Sequence, residues 1–203
     1  MLIFLRHGRT AYNAEGRLQG QYDSPLDDVG WQQAEAVGVH LREHYDVARV
    51  ITSAMTRTRQ TVEAAGLLQL PTTVDDRWRE IDFGAYDQRR IQDVHVDLGA
   101  KWAEDPEWTP EGGAESMAAL HRRIGAALVD VLEVHDRVAL DQAVVVVSHA
   151  TPIKSAIAHA ALAGPPMILR LQIGLASVST VARTKGALVL TSFNERPFAA
   201  SLR

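Results

Sequence analysis

Arg6, His7, Arg57, Glu80 and His149 are the side chains best suited to chemistry, and four of the five stand where an apolar run gives way to polar residues. The opening run Met1-Leu2-Ile3-Phe4-Leu5 passes straight into Arg6-His7-Gly8, and Ala143-Val144-Val145-Val146-Val147 ends in Ser148-His149. Apolar runs of this length read as short buried strands, and consecutive β-branched residues as a strand buried on both faces. A packed strand holds its last side chains rigidly, and Gly8 would let the backbone come close to a ligand there. Arg57 follows another apolar stretch and falls in the first turn of a predicted helix. The helix dipole disfavours a cation at that position, so an anionic ligand explains Arg57 better than helix stability does. Glu80 sits within Arg77-Trp78-Arg79-Glu80-Ile81-Asp82-Phe83-Gly84. It reads either as a surface partner of Arg77 or Arg79, or as an acid in a partly apolar pocket, suited to proton transfer.

Two guanidiniums, two imidazoles and one carboxyl make a consistent set if they meet. Arginine forks match phosphate oxygens bidentately, each charge-assisted hydrogen bond contributing roughly 1.5–3 kcal/mol. Two arginines oppose a metal ion at the same place, so no metal site is expected. The set fits phosphoryl transfer, in which positioning and charge neutralisation do most of the catalysis. One imidazole attacks phosphorus and forms a covalent phosphohistidine, while the other stabilises the equatorial oxygens. The carboxyl protonates the leaving oxygen, and its conjugate base then activates water. Charge and spacing leave open which imidazole is the nucleophile.

The elements that must position these groups alternate between strand and helix, which predicts one α/β domain over residues 1–203 with a mainly parallel sheet. Ligands of such sheets bind beyond the carboxyl ends of the strands, where His7, Arg57 and His149 all fall. Residues 8–25 read as a functional loop. Asp27 or Asp28 caps a helix whose apolar stripe is Ala34, Val37, Gly38 and Leu41. His40 and His44 on that helix read as a solvated face rather than a metal pair. Strands are expected at 49–53 and 70–75, with a helix over 56–68 between them. Residues 85–114, with Trp102, Trp108 and Gly112-Gly113, read as an irregular excursion, and a helix is expected over 115–138. His121 and His135 on it read as ordinary helix residues. Thr151 and Pro152 suit the N-cap and first position of a helix running to about 163. Residues 177–193 alternate around Thr184-Lys185-Gly186 as a closing hairpin or two edge strands.

Composition narrows the partners. The chain has 203 residues, 46% hydrophobic and 23% charged, enough for a sizeable core and a soluble surface. Its net charge of −4, without a basic run, argues against nucleic acid or an anionic membrane as the main partner. The absence of cysteine excludes disulfides, thiolate metal sites and a cysteine nucleophile. The apolar opening is too short for a signal peptide and no stretch could span a bilayer, so a cytoplasmic protein is expected. Oligomeric state is not legible, and a homodimer stays open.

Leu5-Arg6-His7-Gly8-Arg9-Thr10-Ala11-Tyr12-Asn13 resembles the signature of the histidine phosphatase superfamily, the phosphoglycerate mutase-like proteins. The resemblance continues through Arg17-Leu18-Gln19-Gly20, Asp23-Ser24-Pro25-Leu26, Gly30, Ser53 with Arg57, Gln60-Thr61, Glu80 with Phe83-Gly84, Gly113 with Glu115-Ser116, and Val147-Ser148-His149. It implies an α/β three-layer sandwich, a mainly parallel central sheet with helices on both faces. It implies His7 as the nucleophile, Glu80 as proton donor and acceptor, and Arg6, Arg57 and His149 as the phosphate pocket. Asn13, Gln19, Gly20 and the Ala150 amide are implied to contact substrate, and no cofactor is implied. Ala150 replaces a usual Gly, Arg9 stands where Glu is frequent and adds positive charge near the entrance, and Ala85-Tyr86-Asp87 replaces the usual Trp-Glu-Gly. The chain lacks the extra insert and the basic, Trp-rich segment of the cofactor-dependent mutases, and an open site favours hydrolysis. The segment Thr151-Pro152-Ile153-Lys154 also resembles actinobacterial acid phosphatases of the family. The expectation is a phosphatase acting on a small phosphorylated metabolite. A phosphoglycerate-type mutase is the alternative, and a non-catalytic anion-binding protein on the same fold a more distant one.

Overall fold

Alternate residues of the two apolar runs face opposite sides of one sheet, and each side is covered by helices. The structure, a computed structural model, describes residues 1–112 and 114–202, and of His95 the backbone alone. In chain order the elements are β1 (Leu2–Arg6), α1 (Ala11–Ala14), α2 (Asp28–His44), β2 (Asp46–Thr52), α3 (Thr56–Ala64), β3 (Thr72–Val74), α4 (Ile91–Glu104), α5 (Met117–His135), β4 (Gln142–Ser148), α6 (Ala150–Ala160), β5 (Val178–Thr184) and β6 (Ala187–Glu195). The sheet order is β3-β2-β4-β1-β5-β6. The first four strands in that order run parallel, and β5 and β6 are antiparallel additions at one edge.

On one face Leu2 and Phe4 of β1 and Val144 and Val146 of β4 pack with Leu120 and Ile124 of α5, Ile153 and Ile157 of α6, and Trp78. On the other, Ile3, Leu5, Val145 and Val147 pack with Val37 and Leu41 of α2 and Val62 of α3. Burying each such side chain contributes roughly 1.5–3 kcal/mol. The expected three-layer arrangement with a mainly parallel sheet is therefore present.

Several boundaries differ from expectation for local reasons. Asp27, not Asp28, is the N-cap of α2, its carboxylate accepting from the Gly30 N–H at 2.8 Å. Helix α3 stops at Ala64 because Gly66 takes a left-handed φ of 69°, which closes the helix C-terminus. Strand β3 is only three residues long, at the exposed sheet edge. Residues 85–114 are not all irregular, since they contain α4, a fourteen-residue helix. Its buried Val94, Leu98 and Trp102 recur every fourth residue, the helical spacing. Gly113, half of the predicted Gly112-Gly113 pair, lies outside the described residues. Helix α6 begins two residues earlier than expected: His149 has the extended backbone of an N-cap, with φ −121° and ψ 175°. Pro152 still fits, because the first-turn amides of a helix have no intrahelical acceptor. The hairpin turns at Lys185-Gly186, with φ values of 51° and 84°, the pair of positive angles a type I′ turn requires. Among the described residues no helix is long and apolar enough to cross a membrane.

The joint between α5 and α6 carries a titratable pair. His121 and His159 stack with ring centroids 3.7 Å apart, and His121 Nδ1 hydrogen-bonds Ser155 Oγ at 2.9 Å. Burial, then the His159 ring, lowers the His121 pKa to about 4. In the unfolded chain the same imidazole protonates near 6.5, so between these values unfolding takes up a proton. The contribution of His121 is thus complete above pH 6.5 and is lost as pH falls toward 4. Denaturant midpoints measured across that window are expected to fall with acid in the wild type and to fall less steeply in His121→Gln.

Candidate active site

The pairing of β1 with β4 sets Arg6 opposite Ser148, and the His7 N–H donates to the Ser148 carbonyl at 3.0 Å. The next residue of each strand therefore delivers an imidazole to the same sheet edge. The rings of His7 and His149 lie 5.2 Å apart, centroid to centroid. Packing alone requires Gly8 here: a Cβ on it would stand 2.4 Å from the Gly30 carbonyl oxygen. The close approach is to the first turn of α2, so the strand end is clamped onto the protein's own helix.

His7 is buried, and its Nδ1 lies 2.8 Å from the Gly8 carbonyl oxygen. A carbonyl only accepts, so the Nδ1 carries the proton and the Nε2 carries the lone pair. Burial, then the charges of Arg57 and Arg6, hold this imidazole well below its usual value, in the neutral form a nucleophile needs. His149 has the opposite tautomer. Arg57 Nε–H donates to its Nδ1 at 3.1 Å, so its Nε2–H donates to Ser53 Oγ at 2.9 Å. Burial first, then Arg57, likewise keeps His149 neutral.

Glu80 is 6% exposed, and its Oε1 accepts from the Ile81 N–H at 2.9 Å and the Thr151 N–H at 3.3 Å. The second bond seats the carboxyl on the first turn of α6 rather than against Arg77 or Arg79. Those two instead pair with Asp75, Asp130 and Asp76. The segment before Glu80 is held by Ser148 Oγ–H on the Trp78 carbonyl at 2.6 Å, and by Arg123, which donates to the carbonyls of Arg77 and Arg79 and ion-pairs with Glu115. Arg6 donates to the Ile173 carbonyl at 2.6 Å, while its buried Nε has no hydrogen-bond partner among the described residues.

A cavity of about 230 Å³ brings together Arg6, His7, Asn13, Gln19, Glu80 and Ala150. Lys154 and Arg17 also line it, with apolar Leu18, Phe83 and Ile91. Lys154 was not foreseen as a site residue. The signal available was its place one turn after Ala150 on α6, and burial lowers the pKa of its ammonium. A larger hollow of about 480 Å³ borders Glu80 from another side but has neither imidazole in its wall.

Three expected positions differ. Arg57 and His149 are fully buried and are not among the residues of the cavity wall. Arg57 is drawn inward because it donates to the carbonyls of Tyr22 and Gly20, both at 2.9 Å, and faces Asp23 at 3.7 Å. Burial, against the pull of Glu80, Asp23 and Asp87, lowers its pKa to about 10, so it stays charged at neutral pH. Gly20 is not in the cavity wall, since its N–H donates to Asp87 at 2.7 Å. The Gln19 amide is also committed, accepting from Thr10 Oγ1 at 2.8 Å and donating to Ser24 Oγ at 2.6 Å. Asn13 Oδ1 similarly accepts from the Thr10 N–H, within the capping box of α1. Arg9 adds little charge at the entrance, because it pairs with Asp27 at 2.8 Å. His40 and His44 stack on one another, and among the described residues no group of three or more potential ligands could hold a metal.

Residues 2–196 match the family model described as histidine phosphatase superfamily (branch 1). A bifunctional protein of Mycobacterium tuberculosis is 34% identical over 182 residues, 88% of this chain and 49% of the relative. The probable phosphoglycerate mutase GpmB of Salmonella choleraesuis is 38% identical over 136 residues, 65% of this chain and 63% of that one. The chain thus spans about half to two thirds of the length of these curated relatives. Among solved structures, a mycobacterial glucosyl-3-phosphoglycerate phosphatase superposes with TM-score 0.83 at 28% identity, over 95% of this chain and 98% of the other. Phosphoserine phosphatase of Entamoeba histolytica superposes with TM-score 0.83 at 26% identity, over 100% and 98%.

The tautomers are directly measurable. Nitrogen-15 NMR of the imidazoles is expected to show His7 as the Nδ1–H form and His149 as the Nε2–H form, with neither protonating by pH 6.5. A His7 titration midpoint at or above 6.5 would contradict the geometry.

Proposed function

The chain belongs to the histidine phosphatase superfamily, whose members are phosphatases or mutases, and from that premise we propose that it hydrolyses small phosphomonoesters through a phosphohistidine on His7. The observation that carries this reading is the His7 ring itself: its Nδ1 is turned to the Gly8 carbonyl, and it shares one small cavity wall with Glu80 and Arg6. In the first step the His7 Nε2 lone pair forms a bond to phosphorus as the bond to the leaving oxygen breaks, and Glu80 gives that oxygen its proton. In the second, water attacks phosphorus, Glu80 takes a proton from it, and the N–P bond breaks to release inorganic phosphate.

Arg6 and Lys154 offer donors to the phosphoryl oxygens from the wall, and the buried Arg57 adds its charge. Arg57 also has His149 as an acceptor, so His149 helps to orient Arg57. Ala150 brings a first-turn amide of α6 to the same wall. A volume of about 230 Å³ suits a phosphate with a small leaving group, and Leu18, Phe83 and Ile91 give that group an apolar side. The phosphatases among the structural neighbours support hydrolysis over nearly the whole chain. The likeness to a phosphoglycerate mutase supports a second reading, transfer of the phosphoryl group between hydroxyls of one substrate.

Turnover of a chromogenic phosphate monoester, assayed with a chelator present, tests both the chemistry and the metal-free mechanism. His7→Ala is expected to lose at least about a thousandfold, and Glu80→Gln about 10²–10⁴-fold, the usual range for removing a general acid. Equal turnover in His7→Ala would sink the nucleophile assignment. With 3-phosphoglycerate as substrate, phosphate release without isomerisation is expected; isomerisation primed by the bisphosphate would establish the mutase.

A further inference from the structure

The carboxylate of Asp87 accepts the backbone N–H groups of three successive residues, Gly20 at 2.7 Å, Gln21 at 3.1 Å and Tyr22 at 2.9 Å. Three consecutive amides converging on one anion form a nest, and each bond to a charged acceptor is roughly twice as strong as a neutral one. From the opposite side Arg57 donates to the carbonyls of Gly20 and Tyr22, both at 2.9 Å. One short peptide segment therefore has its donors gathered by a carboxylate and its acceptors gathered by a guanidinium. Asp87 itself is not in the cavity wall, and the Gln88 N–H, at 3.1 Å, completes its set of backbone donors.

We propose that Asp87 is a positioning residue of the phosphate pocket, aiming Arg57 by holding the Gly20–Tyr22 segment. Arg57 has five N–H donors, and four hydrogen bonds run from them, to His149, to the carbonyls of Gly20 and Tyr22 and, at 3.4 Å, to the carbonyl of Gln19. The direction of its guanidinium, and of its charge, is thus set largely by where the carbonyls of Gly20 and Tyr22 stand. Those carbonyls stand where Asp87 holds their amides. Arg57 is fully buried and cannot be re-aimed by solvent. The Asp87 charge also favours the charged form of Arg57 across the segment. Gln19, immediately before the segment, does line the cavity, so a displaced segment would shift the wall as well as the guanidinium. Misplacing a positioned group by about 1 Å costs up to about a hundredfold in rate.

This role rests on the phosphatase reading, and binding of inorganic phosphate separates the two. Asp87→Asn keeps the shape but loses the charge and one acceptor oxygen, and Asp87→Ser removes the reach to the segment. In both, phosphate affinity by titration calorimetry is expected to fall about tenfold to a hundredfold, with kcat/KM for a phosphomonoester falling alongside. Should Asp87→Ser not fold, the isosteric Asp87→Asn decides alone. Wild-type phosphate affinity in folded Asp87→Asn, with only Tm lowered, would reduce Asp87 to a structural residue and overturn the proposal. A wild type that binds no phosphate would instead overturn the phosphatase reading.

Discussion

The in-register parallel pairing of β1 with β4 is the constraint on which the site depends. Leu5 stands opposite Val147 and Arg6 opposite Ser148, so two strand ends more than a hundred residues apart in the chain finish at the same height at the carboxyl end of the sheet. A slip of one residue would exchange the faces of each strand. Leu2 and Phe4 would move into the layer against α2 and α3, and Ile3 and Leu5 into the layer against α5 and α6. Both layers are close-packed, so the register that satisfies them also brings His7 beside His149. The core thus does the work of placing two imidazoles 5.2 Å apart.

A second layer of control is polar and local. The loop after β1 has little regular structure, yet side-chain carboxylates hold much of its backbone and anchor it to its neighbours. Asp23 accepts from the Thr56 N–H and hydroxyl at the start of α3, Asp27 caps α2 and pairs with Arg9, and Asp87 gathers residues 20–22. Gln60 Oε1 also accepts from the Leu26 N–H. A buried polar backbone must find partners, and these side chains supply them where no strand or helix does. The same bonds turn Arg57 inward, which is why the cavity wall contains Arg6 and Lys154 but not the most buried cation.

Much of the architecture was legible because it rests on periodicity. The apolar runs of β1 and β4, the stripe Ala34, Val37, Gly38 and Leu41, and the turn at Lys185-Gly186 each read correctly from residue type and spacing. Helix α4 differs from the expected irregular excursion although Val94, Leu98 and Trp102 mark it, because Trp102, Trp108 and Gly112-Gly113 together read as loop residues. The start of α6 was displaced because Thr151-Pro152 is a familiar helix opening, whereas the extended backbone of His149 decided the cap.

The sequence by itself determined that cationic and imidazole side chains follow the buried strands, and that a carboxyl sits among apolar neighbours. Those facts follow from composition and order alone. Only the tertiary structure decided which nitrogen of each imidazole carries the proton, that Gly8 packs closely on Gly30, and that the Gly20 N–H donates to Asp87. The physical reason is that each of these rests on a hydrogen bond or contact of about 3 Å or less, and most join groups far apart in the chain. Such distances are fixed by packing of the two layers and leave no periodic trace in the order of residues.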